Sequence, residues 1–324
     1  MNNFEYINAT TVQEATAALG SSWSDAVVLA GGTDLLSLMK DYVMSPKRLV
    51  NIKNIKELGT ISKAGTGLRI GAAVTFDQLA SNPLVRQGYP SLAQAVMGVT
   101  SPQIRNMGTV GGDLCQRPRC WYYRLGHGVL GMKDGKSLVA EGENKYHAIF
   151  PSGAAHFVSA SSLGPALVAM GAKLKLVSAS GSREVDAAKF FIAPQSNEAR
   201  EIALLPNEIL TEVLLAAAGK NATYEVRQKD ALDWPLATAS VHLKMKGTIV
   251  ESANIVLGHV GPTPYHAAGA ERALVGKTIT AETAMAAGEA AVAGAKPLSQ
   301  NAYKIQLARV AVKRALLEAA GVKA

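Results

Sequence analysis

At 324 residues the chain is too long for one small core and suits two or three subdomains. Its 48% hydrophobic and 18% charged content excludes a disordered protein, and 6% aromatic content leaves Ala, Val and Leu to fill the interior. The net charge of +8 comes from scattered Lys and Arg with no run of five like charges, so it reads as a solvated basic surface or one facing acidic partner subunits, with no nucleic-acid role.

The start, Met1 to Tyr6, lacks a charged stretch followed by an apolar core, and no apolar run is long enough to cross a bilayer. These features predict a cytoplasmic protein without membrane insertion, although export on a partner's signal stays open. From Thr11 to Leu19 the apolar spacing predicts a helix, and Ala26 to Ala30 predicts a strand. The turn Ala30-Gly31-Gly32-Thr33-Asp34-Leu35 follows it directly. Strands are expected at Leu49 to Ile52 and Leu68 to Val74, with a helix opening at Thr75 to Ala80 and another ending near Gly98. A second glycine turn, Thr109-Val110-Gly111-Gly112-Asp113-Leu114, comes next. A Gly-Gly pair admits positive φ and close approach of backbone to a ligand, so both turns read as phosphate cradles, and their shared vocabulary suggests a dinucleotide diphosphate clamped from two sides.

Residues 115–160 show no periodicity and read as a long inserted loop. Its Cys115 and Cys120 are the only cysteines, which argues against a disulfide framework. Regular structure resumes at Leu163 to Met170 and in a strand from Ala172 to Val177. Three strand-like segments follow (Thr223 to Gln228, Ala239 to Lys246, Ile249 to Val260), then Ala-rich helices near 281–293 and 299–320. The expected units are 1–57, 58–218 and 219–324.

With both turns placed, the chain resembles the FAD-binding medium subunit of the molybdenum hydroxylases, the group of xanthine dehydrogenase, aldehyde oxidoreductase and carbon monoxide dehydrogenase. Val28 to Leu35 is similar to the first FAD loop of that family, Ile104 to Gly112 to its second, and Leu257 to Tyr265 to its terminal domain. The resemblance implies an α+β architecture: a two-part α/β FAD-binding domain of the PCMH type, then a smaller C-terminal domain with a three-stranded antiparallel sheet and helices. It implies FAD contacts at Val28, Leu29, Ala30, Gly31, Gly32, Thr33, Asp34, Leu35, Thr109, Gly111, Gly112, Asp113, Ser162, Leu210 and Arg227. It also implies electron transfer from the iron-sulfur clusters of a partner to a terminal acceptor. The partners would be a large subunit with the molybdenum cofactor and a small two-iron two-sulfur subunit. No residue of this chain would be catalytic in substrate oxidation.

Three positions depart from that pattern. Asp113 stands where the family usually has Asn, and an ionised carboxylate can only accept hydrogen bonds. Ala160-Ser161-Ser162-Leu163 replaces Pro-Ser-Asp-Leu, so Ser162 loses the charge of an FAD-contacting Asp. Arg227 takes a place that is Lys in some relatives. The insertion resembles the branch carrying an additional four-iron four-sulfur cluster and so favours aldehyde oxidation. However, Cys120 alone matches a ligand position, which disfavours the cluster and leaves a structural segment or subunit contact. The alternative function is a structural or assembly subunit that has lost flavin binding. Under the FAD reading, Val at Gly32 or Gly111 is expected to block the diphosphate while sparing the fold.

Overall fold

The computed structural model describes residues 1–229 and 233–323. The N-terminal unit is a parallel three-stranded sheet in the order Glu5–Asn8, Arg48–Asn51, Ala26–Leu29, so the last strand in sequence lies in the middle. The predicted helix forms over Val12–Ala17, where the Thr11 side chain accepts the Glu14 N–H at 3.1 Å as an N-cap.

The second unit is a five-stranded antiparallel sheet in the order Ile61–Ala64, Gly67–Gly71, Ile209–Leu215, Lys173–Ser178, Gly181–Asp186. Its central strand, Ile209–Leu215, returns from far down the chain and was not anticipated, nor were Ile61–Ala64 and Gly181–Asp186. The helices Phe76–Ser81, Pro90–Met97 and Gly164–Ala169 pack on this sheet, and one apolar core runs from Leu68 and Ile70 through Leu79, Leu92, Leu167 and Phe190 to Val213. Between Gly98 and the second glycine turn stands an unanticipated helix, Pro102–Met107, with Ser101 as its cap and Pro at its start.

The C-terminal sheet corrects the expectation of three strands. It has four, in the order Lys220–Val226, Ala237–Lys246, Ile249–Gly258, Tyr265–His266. The fourth strand is only two residues long, too short to leave a period-2 signature. Helices Ala268–Leu274, Ala281–Val292 and Tyr303–Ala320 cover this sheet with small side chains, Ala284, Ala287, Ala308, Ala311 and Ala315 all being fully buried. Among the described residues no helix is long and apolar enough to cross a membrane.

The insertion is ordered without periodicity. It holds the helices Trp121–Arg124 and Leu138–Glu141 and a hairpin pairing Met132–Lys133 with Lys136–Ser137. Cys120, Tyr123, Val129, Leu130, Val139 and Phe157 form a small core of their own with Leu38. Polar side chains fasten it to the C-terminal unit. Asn144 is fully buried; its Nδ2 donates to Ser299 Oγ at 2.9 Å and its Oδ1 accepts the Gln300 N–H at 2.9 Å. Lys304, 1% exposed, donates from Nζ to the carbonyls of His259 (2.6 Å), Tyr146 (3.2 Å) and His147 (3.2 Å).

Asn144→Ala removes these hydrogen bonds and the buried one to the Val139 carbonyl, and should cost about 1–3 kcal/mol of stability, seen as a lower urea midpoint. A midpoint equal to that of the parent would mean that the insertion is held by other contacts.

Candidate functional site

The strand Ala26–Leu29 leads straight into Ala30-Gly31-Gly32-Thr33-Asp34, and Gly32 takes φ +71, a left-handed conformation in which a β-branched residue is strained. Among the described residues the amides of Gly31, Gly32, Thr33, Asp34 and Leu35 donate to no protein acceptor. Successive N–H groups left free in this way are donors available to an anion. The second turn is built differently. Gly111 and Gly112 lie in the first turn of the helix Val110–Cys115, capped by Thr109, and its amides are already engaged: Val110 to the Val74 carbonyl, Gly111 to the Ala72 carbonyl (2.8 Å), Gly112 to Thr109 Oγ1 (3.1 Å) and Asp113 to the Thr109 carbonyl.

The two turns meet across the cleft. A Cβ on Gly31 would lie 1.9 Å from the Met107 carbonyl oxygen, and one on Gly111 would lie 2.8 Å from Ala72 Cβ. These glycines therefore let protein backbone approach protein backbone. Gly112 is the freer position, since a Cβ there would meet only the Thr109 hydroxyl, at 2.9 Å.

The cleft has two lobes. The first, which opens to solvent, is lined by Val28, Ala30, Gly31, Gly32, Thr33, Asp34, Leu35, Thr109, Gly111, Gly112 and Leu210, together with Trp23 and Arg200. The second, also open to solvent, is lined by Asp113, Ser162, Gly98, Ser101 and Trp234. Thr33, Asp34, Thr109, Gly112 and Gln116 border both. A junction of free amides between two lobes suits a dinucleotide with its diphosphate in the middle. Leu29 borders neither lobe, and neither does Arg227, which donates to the Gly98 carbonyl behind the second.

Asp34 and Asp113 both point into protein. Asp34 Oδ1 accepts Arg124 Nη2 at 2.7 Å and lies 3.2 Å from Arg119 Nη1, while Oδ2 accepts the Arg117 N–H at 2.8 Å. Asp113, 5% exposed, accepts Ser161 Oγ (2.5 Å), the amides of Leu163 (3.0 Å) and Ser162 (3.2 Å), and Gln116 Nε2 (3.0 Å). Burial pushes its carboxyl up, opposed by those hydrogen bonds and by the Arg119 charge. An amide at this place would put an NH2 group against N–H donors, so the carboxylate is matched to the 161–163 segment and not to a ligand. Ser161, not Ser162, supplies the hydroxyl of that contact.

Sequence reasoning missed Trp23, Arg117, Arg119, Arg124 and Arg200. The arginines of the insertion carry no periodicity, and only their number near the second turn could have drawn notice. The cysteines do not come together. Cys115 lines the first lobe, its thiol pushed up to about 12 by burial, whereas Cys120 Sγ lies 3.1 Å from His147 Nε2 in the core of the insertion. Among the described residues no three His, Cys, Asp or Glu side chains are grouped to hold a metal. This donor set does not fit a four-iron four-sulfur cluster held by four thiolates.

The family described as the FAD binding domain in molybdopterin dehydrogenase matches residues 2–217, and the carbon monoxide dehydrogenase flavoprotein C-terminal domain matches 222–319. The chain belongs to the FAD-binding medium subunits of the molybdenum hydroxylases. It is 33% identical to the carbon monoxide dehydrogenase medium chain of Hydrogenophaga pseudoflava over 97% of this chain and 96% of that one. The aldehyde oxidoreductase FAD-binding subunit PaoB of Escherichia coli is 29% identical over 98% and 99%. Quinoline 2-oxidoreductase from Pseudomonas putida 86 superposes with a TM-score of 0.77 at 26% identity, over 99% of this chain and 98% of that one. This medium subunit is thus an FAD-binding electron-transfer component of a heteromeric oxidoreductase, with the PCMH-type fold that the resemblance implied.

Behind the second lobe of this subunit, burial pushes Glu225 up to about 8, opposed by Arg227 and reinforced by Asp113, and both carboxyl oxygens lack a partner among the described residues. The raised value means that Glu225 contributes stability fully below its ordinary value of 4.5 and loses it as pH rises to about 8. Glu225→Gln, neutral throughout, should therefore gain several degrees in unfolding midpoint relative to the parent between pH 5 and pH 8.5. A constant difference in calorimetry across that window would mean that the carboxyl is already ionised in the fold at pH 5.

Proposed function

We propose that this chain carries electrons through one FAD whose diphosphate rests on the free amides of Gly31 to Leu35. Its nucleotide would lie in the lobe of Trp23 and Leu210 and its ring in the lobe of Asp113, Ser162 and Trp234. The carrying observation is that run of unpartnered amides at the junction of two lobes. When bound, FAD supplies reversible one- and two-electron chemistry. The chain's own residues bind and orient it. Val28, Ala30, Leu35 and Leu210 give apolar cover, Thr33 and Thr109 bring hydroxyls to the junction, and Gly111 and Gly112 make the facing wall. Arg227 and Leu29 act from behind the lining, through Gly98 and through the strand entering the turn.

The electrons would come from a two-iron two-sulfur small subunit, after substrate oxidation on a large subunit with the molybdenum cofactor. For the substrate we take an aldehyde, a reading supported by the end-to-end similarity to the Escherichia coli aldehyde oxidoreductase subunit. Among a panel of aldehydes, purines and carbon monoxide offered to the intact complex, aldehydes should be oxidised at least tenfold faster in kcat/KM; faster turnover of another class rejects that choice.

Purified protein should be yellow and release about one FAD per chain on denaturation. Colourless protein that takes up no added FAD would reject the reading. Gly112→Val should lose FAD and lower the circular dichroism melt only modestly, because its Cβ displaces the Thr109 hydroxyl that caps the helix. Gly111→Val should lose both flavin and stability, because its side chain meets Ala72 before it meets any ligand.

A further inference from the structure

We infer that Arg200 is the counter-charge of the dinucleotide's diphosphate, a role that rests on the FAD reading above. Arg200 lines the first lobe of the cleft, the lobe that the turn with the free amides of Gly31 to Leu35 also lines. Its guanidinium stacks on the Trp23 ring at 4.2 Å. Among the described residues it makes no ion pair within 4.0 Å, and its Nε and Nη1 are buried without a hydrogen-bond partner.

Both neighbouring carboxylates have other arginines as ion-pair partners. Glu201 pairs with Arg117 through Oε1, its Oε2 having no hydrogen-bond partner among the described residues, and Asp34 is taken by Arg119, Arg124 and the Arg117 amide. Four guanidinium groups thus meet two carboxylates around the cleft, with Asp113 directed at residues 161–163. Arg200 is the cation left over. Burial and the nearby Arg117 charge push it down to about 10, against the opposing pull of Glu201. A partly buried charge without a partner destabilises a fold unless something else compensates it. A diphosphate would bring two negative charges and several acceptor oxygens to the lobe where Arg200 waits. The Trp23 stack holds the guanidinium in place meanwhile, and a long apolar side chain can cover the same ring.

This assignment predicts two effects of opposite sign. The full chain in its flavin-free form is titrated with FAD, ADP and adenosine, and its thermal midpoint is recorded without ligand. Arg200→Met should bind FAD and ADP at least tenfold more weakly and adenosine within twofold of the parent. Its flavin-free midpoint should equal or exceed that of the parent, since an unpaired charge has gone. Arg200→Lys should recover part of the ADP affinity. A residue that merely supports the fold would lower the midpoint and weaken all three ligands together. Unchanged FAD and ADP affinity in Arg200→Met, or an equal loss for adenosine, overturns the inference. ADP binding to the parent that depends on Arg200, without any FAD binding, would sink the FAD reading and keep the anion site; a parent that binds neither would sink both.

Discussion

The carboxylate of Asp34 holds the cleft in shape. It sits directly behind the first glycine turn, yet its oxygens are turned to Arg119, Arg124 and the Arg117 amide, residues of the insertion. The pairs are largely shielded from solvent, where charge-assisted hydrogen bonds are stronger and less screened than at a surface. Because Asp34 is engaged sideways, the amides of its own turn remain free. Because three points of the insertion converge on it, the segment from Arg117 to Arg124 is pinned against the N-terminal unit. Thus the turn, the insertion and the cleft depend on one another.

The same division of labour explains the glycines. In each turn one glycine serves close packing against backbone or Cβ, Gly31 against the Met107 carbonyl and Gly111 against Ala72, while a Cβ at Gly32 or Gly112 would meet only side chains, those of Leu36 and Leu29 or the Thr109 hydroxyl. A sequence cannot distinguish the two uses, since both demand a missing Cβ. The expectation that Val at Gly111 would spare the fold fails for that reason, whereas at Gly32 the left-handed backbone adds strain of its own. The two turns share residues but differ in what their N–H groups do.

Much of the framework was legible from local pattern. The helix opening at Thr11, the apolar strand Ala26–Leu29 and the Ala-rich helices announce themselves within a few residues, whereas the helix capped by Thr109 is hidden in what reads as a glycine turn. The pairing of Ile209–Leu215 between Gly67–Gly71 and Lys173–Ser178 does not announce itself either, because it joins through backbone alone a strand more than a hundred residues earlier and one some thirty to forty residues earlier. In the site, the positions lining the first lobe follow the glycine turn and could be read. The arginines could not, for they reach the cleft from a segment without period. Asp113 was noticed as odd, but its meaning lay in Ser161 and Leu163, some fifty residues onward.

The buried ammonium of Lys304 has a consequence for synthesis. It closes on the carbonyls of Tyr146 and His147, which leave the ribosome 157 or 158 residues earlier. At a synthesis rate of about 5–20 residues per second, that interval is roughly 8–30 s. For that time the insertion has its small core and its Asp34 anchor but not its final fastening, and the nascent chain must wait for its last helix before the cleft is complete.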